Sequence, residues 1–291
     1  MRSLDVPGAR SPRPPLLVDV DMGLDDVRVL AALPGQDRFE VVGVVTVEGS
    51  AGAARGAENA LRLLASLGAH RIPVAVGARR ALARDVAPPP WRPMTEALGG
   101  LAPTLPPARR HVERAEGARF IAGALRRAPL RSVRLLALGP LTNLALAFRG
   151  DRELTARVHS LHLLGDFLRC DCYNCRTDPE AARAVLALGL PTLMVVRSAT
   201  DRAPFDDALL ARVAALHGPG ARLVASVMRG HPTGQMKLWD DSVLAGLLDS
   251  RLLVLEPDEA AGLVRRATAL HVEPMRALLL TLWDRSGRRD P

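Results

Sequence analysis

The stretch Leu16-Leu17-Val18-Asp19-Val20-Asp21-Met22-Gly23-Leu24-Asp25-Asp26 decides how this chain is read. Its first half is a short apolar run that turns acidic at its end, Met22-Gly23-Leu24 is a turn, and Asp25-Asp26 opens a helix over Val27–Leu33. A run that is apolar almost throughout is the mark of a parallel strand covered on both faces. In open parallel sheets ligands bind at the carboxyl ends of the strands. Four carboxylates therefore crowd the place where a site is expected. Like charges this close repel unless a cation sits among them, and carboxylate oxygens around a flexible turn suit a hard divalent ion such as Ca²⁺ or Mg²⁺.

The same alternation continues outward. Strands are expected at Leu16–Val20, Val41–Val47, Ile72–Val76, Val133–Leu138, His159–Leu164 and Thr192–Val196, with a late one near Ala269–Val272. Between them lie helical patterns at Ala53–Leu67, Arg114–Arg127, Leu141–Phe148, Pro179–Leu188, Asp206–Leu216 and Asp241–Leu248. Gly68 is placed to end the first of these, and Asp178 to cap Pro179–Leu188. Strand–helix alternation implies right-handed βαβ units. The expected fold class is α/β, a single-domain open, mostly parallel sheet with helices on both faces and a Rossmann-like core, over residues 16–284. The segment Ala78–Pro107, rich in Pro and Gly, reads as a long loop and a candidate lid.

Composition narrows the function classes. The 291 residues, 48% hydrophobic, suffice for one large α/β domain. Net charge is +8, but the excess is scattered Arg with Lys237 the sole Lys, and aromatics are only 3%. No basic stretch interleaves with aromatics, so nucleic-acid binding is not expected. No apolar run is long enough to span a bilayer. Residues 1–15, rich in Pro and Arg, lack the apolar core of a secretory signal and read as a disordered leader. Residues 285–291 read as a basic tail. Cys170, Cys172 and Cys175, an odd number in one segment, do not suggest a disulfide framework or a zinc site. Their expected role is packing or pocket lining, in a reducing cytoplasm.

The signature Asp19-x-Asp21-x-Gly23-x-Asp25-Asp26 resembles that of the nucleoside hydrolase family at every fixed position. The resemblance extends through Gly43–Ser50, Glu58–Leu64 with Ile72–Gly77, the Leu138-Gly139-Pro140-Leu141-Thr142-Asn143 turn, and Asn174 with Asp178-Pro179-Glu180-Ala181-Ala182, so that it covers roughly Leu16 to Leu248. It implies the following assignments. One Ca²⁺ is held by the carboxylates of Asp21, Asp26 and Asp240 and the backbone carbonyl of Leu138. Asp21 is general base toward a water held by the ion, which attacks C1′ of a ribonucleoside and releases free base and ribose. Asp25 and Asn174 bind ribose hydroxyls, as does Asp240, and Asp19 supports the loop from behind. The adjacent Asp240 and Asp241 leave the register there open, with Asp240 preferred. The small-molecule partner is a nucleoside, and family members are commonly homodimers or homotetramers.

Four positions depart from the family. Trp239 stands where well-studied branches carry a His that protonates the leaving base, and an indole N–H cannot do so. Cys172 replaces a sugar-binding Glu, and Ser50 replaces an Asn. The loop from Gly165 to Asn174 is too short for the usual Asn that holds the 5′-hydroxyl. Trp239, Cys172 and Ser50 are still expected to line the substrate pocket. These changes keep open a second reading, a catalytically weak or inactive nucleoside- or sugar-binding protein of the same fold. A Mg²⁺-dependent phosphohydrolase is disfavoured, because that chemistry usually needs a phosphate-binding Lys downstream of the first Asp.

Overall fold

A computed structural model of the chain describes residues 12–108, 110–231, 234–257 and 263–288. In chain order the elements are β1 (Pro15–Val20), α1 (Leu24–Ala32), β2 (Glu40–Thr46), α2 (Ala53–Ser66), β3 (Val74–Val76), α3 (Arg92–Glu96), α4 (Gly117–Arg127), β4 (Val133–Ala137), α5 (Thr142–Gly150) and β5 (Val158–Leu164). There follow α6 (Tyr173–Thr177), α7 (Pro179–Leu186), β6 (Thr192–Val195), α8 (Arg197–Thr200), α9 (Asp207–Ala214), α10 (Pro219–Met228), α11 (Trp239–Leu248), β7 (Leu253–Pro257), β8 (Val264–Leu270) and α12 (Val272–Arg285).

The eight strands form one sheet in the order β3-β2-β1-β4-β5-β6-β8-β7. Every pairing is parallel except β7 with β8. Strand β1 shows why the sheet is covered on both sides. Its Leu16, Val18 and Val20 enter one apolar core, with residues of α1, α2, α10, α11 and α12. Its Leu17 enters the other, with residues of α4, α5 and α7. Alternate side chains of a strand point to opposite faces, so a run buried on both must be apolar throughout. The expected fold class is borne out, and the first six strands lie where the sequence places them to within a few residues.

The carboxyl end of the chain departs from expectation. The late strand is Val264–Leu270, not Ala269–Val272, and Val272 begins α12 instead. Arg265, Arg266 and Thr268 interrupt the apolar pattern of β8, which lies next to the edge strand. Neither β7 nor helices α10 and α12 were expected. Segment 78–107 is less irregular than a loop: it contains α3 and two short 3₁₀ turns, and buries Leu98 and Leu105. Residues 1–11 of the expected leader and 289–291 of the expected tail lie outside the described residues. Among the described residues no helix is long and apolar enough to cross a membrane.

Three helices are tied together by one buried cation. Arg28 of α1 is 0% exposed, and its guanidinium is 2.7 Å from the equally buried carboxylate of Asp241 on α11. It also donates to the Lys237 carbonyl at 2.7 Å and to the Met228 sulfur, at the end of α10, at 3.5 Å. The guanidinium lies 5.2 Å from the ring centre of Phe205. The indole N–H of Trp283 in α12 donates to the Arg28 carbonyl at 2.9 Å. Removing one partner of such a pair strands the other charge in a low-dielectric interior. Arg28→Met is therefore expected to cost about 3–5 kcal/mol in urea unfolding, and Arg28→Met with Asp241→Leu to recover most of that loss. A double variant as unstable as the single one would show that the pairing is incidental.

Candidate active site

The strand order reverses between β1 and β4, and the loops leaving their carboxyl ends diverge there, which opens a crevice. Asp21 follows the last residue of β1 and Leu138 the last residue of β4. A cavity of about 490 Å³ occupies this place, in the range of ligand pockets. Of the residues singled out from the sequence, Asp21, Asp25, Ser50, Leu138, Cys172, Asn174, Trp239 and Asp240 all line it. Asp26 is fully buried beneath its floor. Asp19 is buried farther back on β1.

The turn after β1 sets these positions. Met22 takes a left-handed backbone, φ 59°, which few non-glycine residues adopt, and buries its side chain completely. The reversal lets Asp21 and the first turn of α1 face one another. The N–H of Gly23 donates to Asp26 Oδ2 at 2.8 Å and more weakly to Asp21 Oδ1 at 3.4 Å. The N–H of Ser50 donates to Asp21 Oδ2 at 2.9 Å. Gly49 is needed beside it, because a Cβ there would overlap the Asp21 carboxylate.

Carboxylate oxygens of Asp25, Asp26 and Asp240 lie within 4.8 Å of one another. Of the adjacent acids on α11, Asp240 joins this cluster while Asp241 turns to Arg28. Asp26 Oδ1 and Asp240 Oδ1 are buried with no hydrogen-bond partner among the described residues. Unsatisfied buried oxygens of like-charged groups, all hard donors, fit a divalent cation. Asp21 adjoins Asp26. The Leu138 carbonyl accepts from the Asn174 side-chain amide at 2.6 Å, and its second lone pair stays available. Asp19 accepts from Asn143 at 2.8 Å, and its other oxygen has no partner.

Burial dominates the electrostatics. Loss of solvent pushes the Asp19 carboxyl up to about 8 and Asp25 to about 6, the latter offset in part by Arg28. Burial likewise raises Asp21, Asp26 and Asp240, and repulsion by Asp240 adds to the rise at Asp26, as repulsion by Asp25 and Asp21 does at Asp240. The protein alone does not compensate this many acids.

Several site residues carry no signal in the sequence. Helix α3 is fastened to the loop that orients Asp21. Thr95 Oγ1 donates to the Ser50 carbonyl at 2.6 Å, Arg92 donates to the Gly49 carbonyl at 2.9 Å and pairs with Glu48 at 2.6 Å, and Gly52 N–H donates to Glu96 at 3.1 Å. Segment 78–107 therefore forms a pocket wall, with Trp91, Met94 and Thr95 lining it. Trp91 meets Tyr173 edge to face, 5.4 Å between ring centres. Arg176, Arg197, Gln235 and Met236 complete a rim that no spacing announces.

The cysteines differ from expectation. Cys170 and Cys175 are joined in a disulfide that closes the loop carrying Tyr173 and Asn174, and only Cys172 is a free, buried thiol. Odd counting missed this because two of three cysteines pair within one short loop. His162 is buried on β5 with Ser160 Oγ at 2.9 Å. His231 packs near Gly99 and does not line the cavity.

Residues 16–277 match the family described as inosine-uridine preferring nucleoside hydrolase. The pyrimidine-specific ribonucleoside hydrolase RihA of Shewanella woodyi is 30% identical over 220 residues, 74% of this chain and 70% of that protein. RihA of Photobacterium profundum is 29% identical over the same shares of each chain. Among solved structures, a purine-preferring ribonucleoside hydrolase from Gardnerella vaginalis superposes with a TM-score of 0.81 at 18% identity, over 93% of this chain and 98% of that one. A plant nucleoside hydrolase, PpNRh1, gives 0.80 at 20% identity, over 94% and 99%. At that identity the likeness is one of fold.

The acid cluster has a consequence for stability without metal. These aspartates titrate higher in the folded chain than the ordinary value near 3.9, so the folded state binds more protons and stability falls as pH rises through their folded values. His162, pushed down to about 3 by burial, acts in the opposite sense, but only below its unfolded value of about 6.5. The diagnostic window is therefore about pH 6.5 to 8, set by Asp19 and its neighbours. Urea midpoints of chelator-treated protein are expected to drop across that window. A flat or rising midpoint would contradict the buried, uncompensated cluster.

Proposed function

Because the chain belongs to the inosine-uridine preferring nucleoside hydrolase family, we propose that it is a Ca²⁺-dependent hydrolase of the N-glycosidic bond of ribonucleosides, releasing free base and ribose. The observation that carries this reading is the close triplet of Asp25, Asp26 and Asp240, with two orphaned oxygens, beneath a pocket that Asp21 faces.

Asp21, Asp26, Asp240 and the Leu138 carbonyl are the proposed ligands, with Asp25 close enough to share in the shell. The chemistry a bound Ca²⁺ supplies there is neutralisation of the carboxylates and acidification of an attacking water. Asp21 accepts that water's proton. The N–H groups of Ser50 and Gly23 fix its carboxylate for the purpose. Asp25 and the amide of Asn174 orient the vicinal ribose hydroxyls. Carboxylates below the ring stabilise the positive charge that develops at C1′ in an oxocarbenium-like transition state. Among the described residues no His, Glu or Lys lines the cavity to protonate the leaving base. The ring of Trp239 holds the base by stacking instead.

The lack of such an acid among the described lining residues also favours the second reading, binding without turnover. A panel of purine and pyrimidine nucleosides, assayed for ribose release with and without chelator, separates the two. Turnover is expected with Ca²⁺, lost on chelation, and lowered about 10³-fold by Asp21→Ala. Nucleoside binding with no ribose release from any substrate would replace the enzyme with a sensor. Gly49→Ala is expected to lower kcat/KM about 100-fold by displacing Asp21, while the variant keeps its melting midpoint within a few degrees; unchanged kinetics would remove Asp21 from the mechanism.

A further inference from the structure

We propose that the preferred substrate is a nucleoside carrying an anionic oxyacid group, a phosphate or a carboxylate, which Arg197 and Arg176 bind at the rim of the pocket away from the aspartate floor. This inference rests on the nucleoside hydrolase reading and names its substrate class.

The strand order lays out the pocket. Asp21 follows β1, Leu138 follows β4, Leu164 and Gly165 end β5, and Arg197 begins α8 immediately beyond β6. Neighbouring strands lie about 4.8 Å apart, so three spacings, roughly 14 Å, separate the backbone at Asp21 from that at Arg197. The lining is acidic at one end of this span and basic at the other. Arg176, on α6 two residues past Asn174, is a second cation lining the same cavity.

These two cations stand apart from the other arginines near the site. Arg92 is neutralised by Glu48, and Arg266 by Asp166. Among the described residues, the exposed side chain of Arg197 forms no ion pair and no hydrogen bond, although it lines the cavity. Arg176 forms no ion pair and donates one N–H, to the Asp171 carbonyl at 2.6 Å. Asp166, the acid next to Gly165, already serves Arg266 at 2.7 Å and Arg169 at 3.7 Å. An unpartnered guanidinium at a pocket rim is a fork shaped for phosphate or carboxylate.

The wall between the two ends is Leu164, Gly165 and Cys172. It offers a neutral sugar hydroxyl nothing stronger than a thiol, a weak hydrogen-bonding group. Burial pushes the Cys172 thiol up to about 11 and so keeps it uncharged, and it does not repel an anion. The wall thus holds no acid that would repel a negative substituent, and Arg176 and Arg197 line the same cavity with two positive charges.

The test compares uridine, uridine 5′-monophosphate and a uridine with a carboxylate on the base, using the full chain with Ca²⁺. One of the anionic substrates is expected to exceed uridine in kcat/KM by about tenfold or more, the worth of one charge-assisted contact. Which of the two gains identifies the source of the charge. Arg197→Met is expected to lower kcat/KM for that substrate about tenfold more than for uridine, Arg197→Lys to retain part of the preference, and added salt to weaken it. Equal or better turnover of uridine would overturn the inference and leave the hydrolase reading standing. If nothing is turned over, the hydrolase reading fails, and calorimetry decides the inference separately: tighter binding of an anionic compound than of uridine, lost in Arg197→Met, supports it, and equal binding overturns it.

Discussion

Five carboxyl groups, those of Asp19, Asp21, Asp25, Asp26 and Asp240, are drawn to one end of β1, all but the half-buried Asp25 out of water, and within reach of one another's charge. A low-dielectric interior amplifies both the cost of desolvating each and the repulsion between them. Much of the surrounding structure serves to hold this arrangement. The left-handed turn at Met22 faces Asp21 toward the first turn of α1, Gly49 leaves room for the Asp21 carboxylate, and backbone N–H groups of Gly23 and Ser50 satisfy part of it. What the backbone does not satisfy, the orphaned oxygens of Asp26 and Asp240, is the fraction that suits a cation.

Support for the cluster extends well beyond the strand ends. Arg28 contributes a fixed positive charge behind the floor and holds Asp241 away from it, so only one of the two adjacent acids on α11 enters the site. The neighbouring Asp178 bonds to Thr142 Oγ1 at 2.6 Å and to the N–H of Leu82 at 2.9 Å, while it caps α7. It thereby joins the turn after β4 to segment 78–107. Helix α3, in that same segment, locks the Glu48–Gly52 loop whose Ser50 amide orients Asp21. The wall of the pocket and the aim of its proposed base are thus mechanically coupled.

The rim has a different chemistry from the floor. Trp91, Tyr173 and Trp239 bring flat apolar surface, Met94 and Met236 adaptable contacts, and Arg176 and Arg197 positive charge. In the proposed reading the ligand is held by stacking and charge at the rim, and the carboxylates at the floor perform the chemistry. The disulfide between Cys170 and Cys175 shapes the loop that delivers Tyr173 and Asn174 to it.

The sequence by itself determined the alternation of buried strands and helices and the acid cluster at the end of β1, because both are local patterns: strand burial on two faces shows as an unbroken apolar run, and Asp21, Asp25 and Asp26 come from one turn. It also named eight of the residues that line the pocket, through ordered motifs. Tertiary structure alone decided which of Asp240 and Asp241 faces the floor, since only the position of Arg28, 213 residues away along the chain, separates two adjacent acids. It likewise decided the latch between α3 and the Ser50 loop, the mixed edge of the sheet at β7 and β8, and the two guanidiniums that line the pocket without an ion pair among the described residues. These are contacts between distant segments, and no periodicity or spacing along one chain encodes where such segments meet.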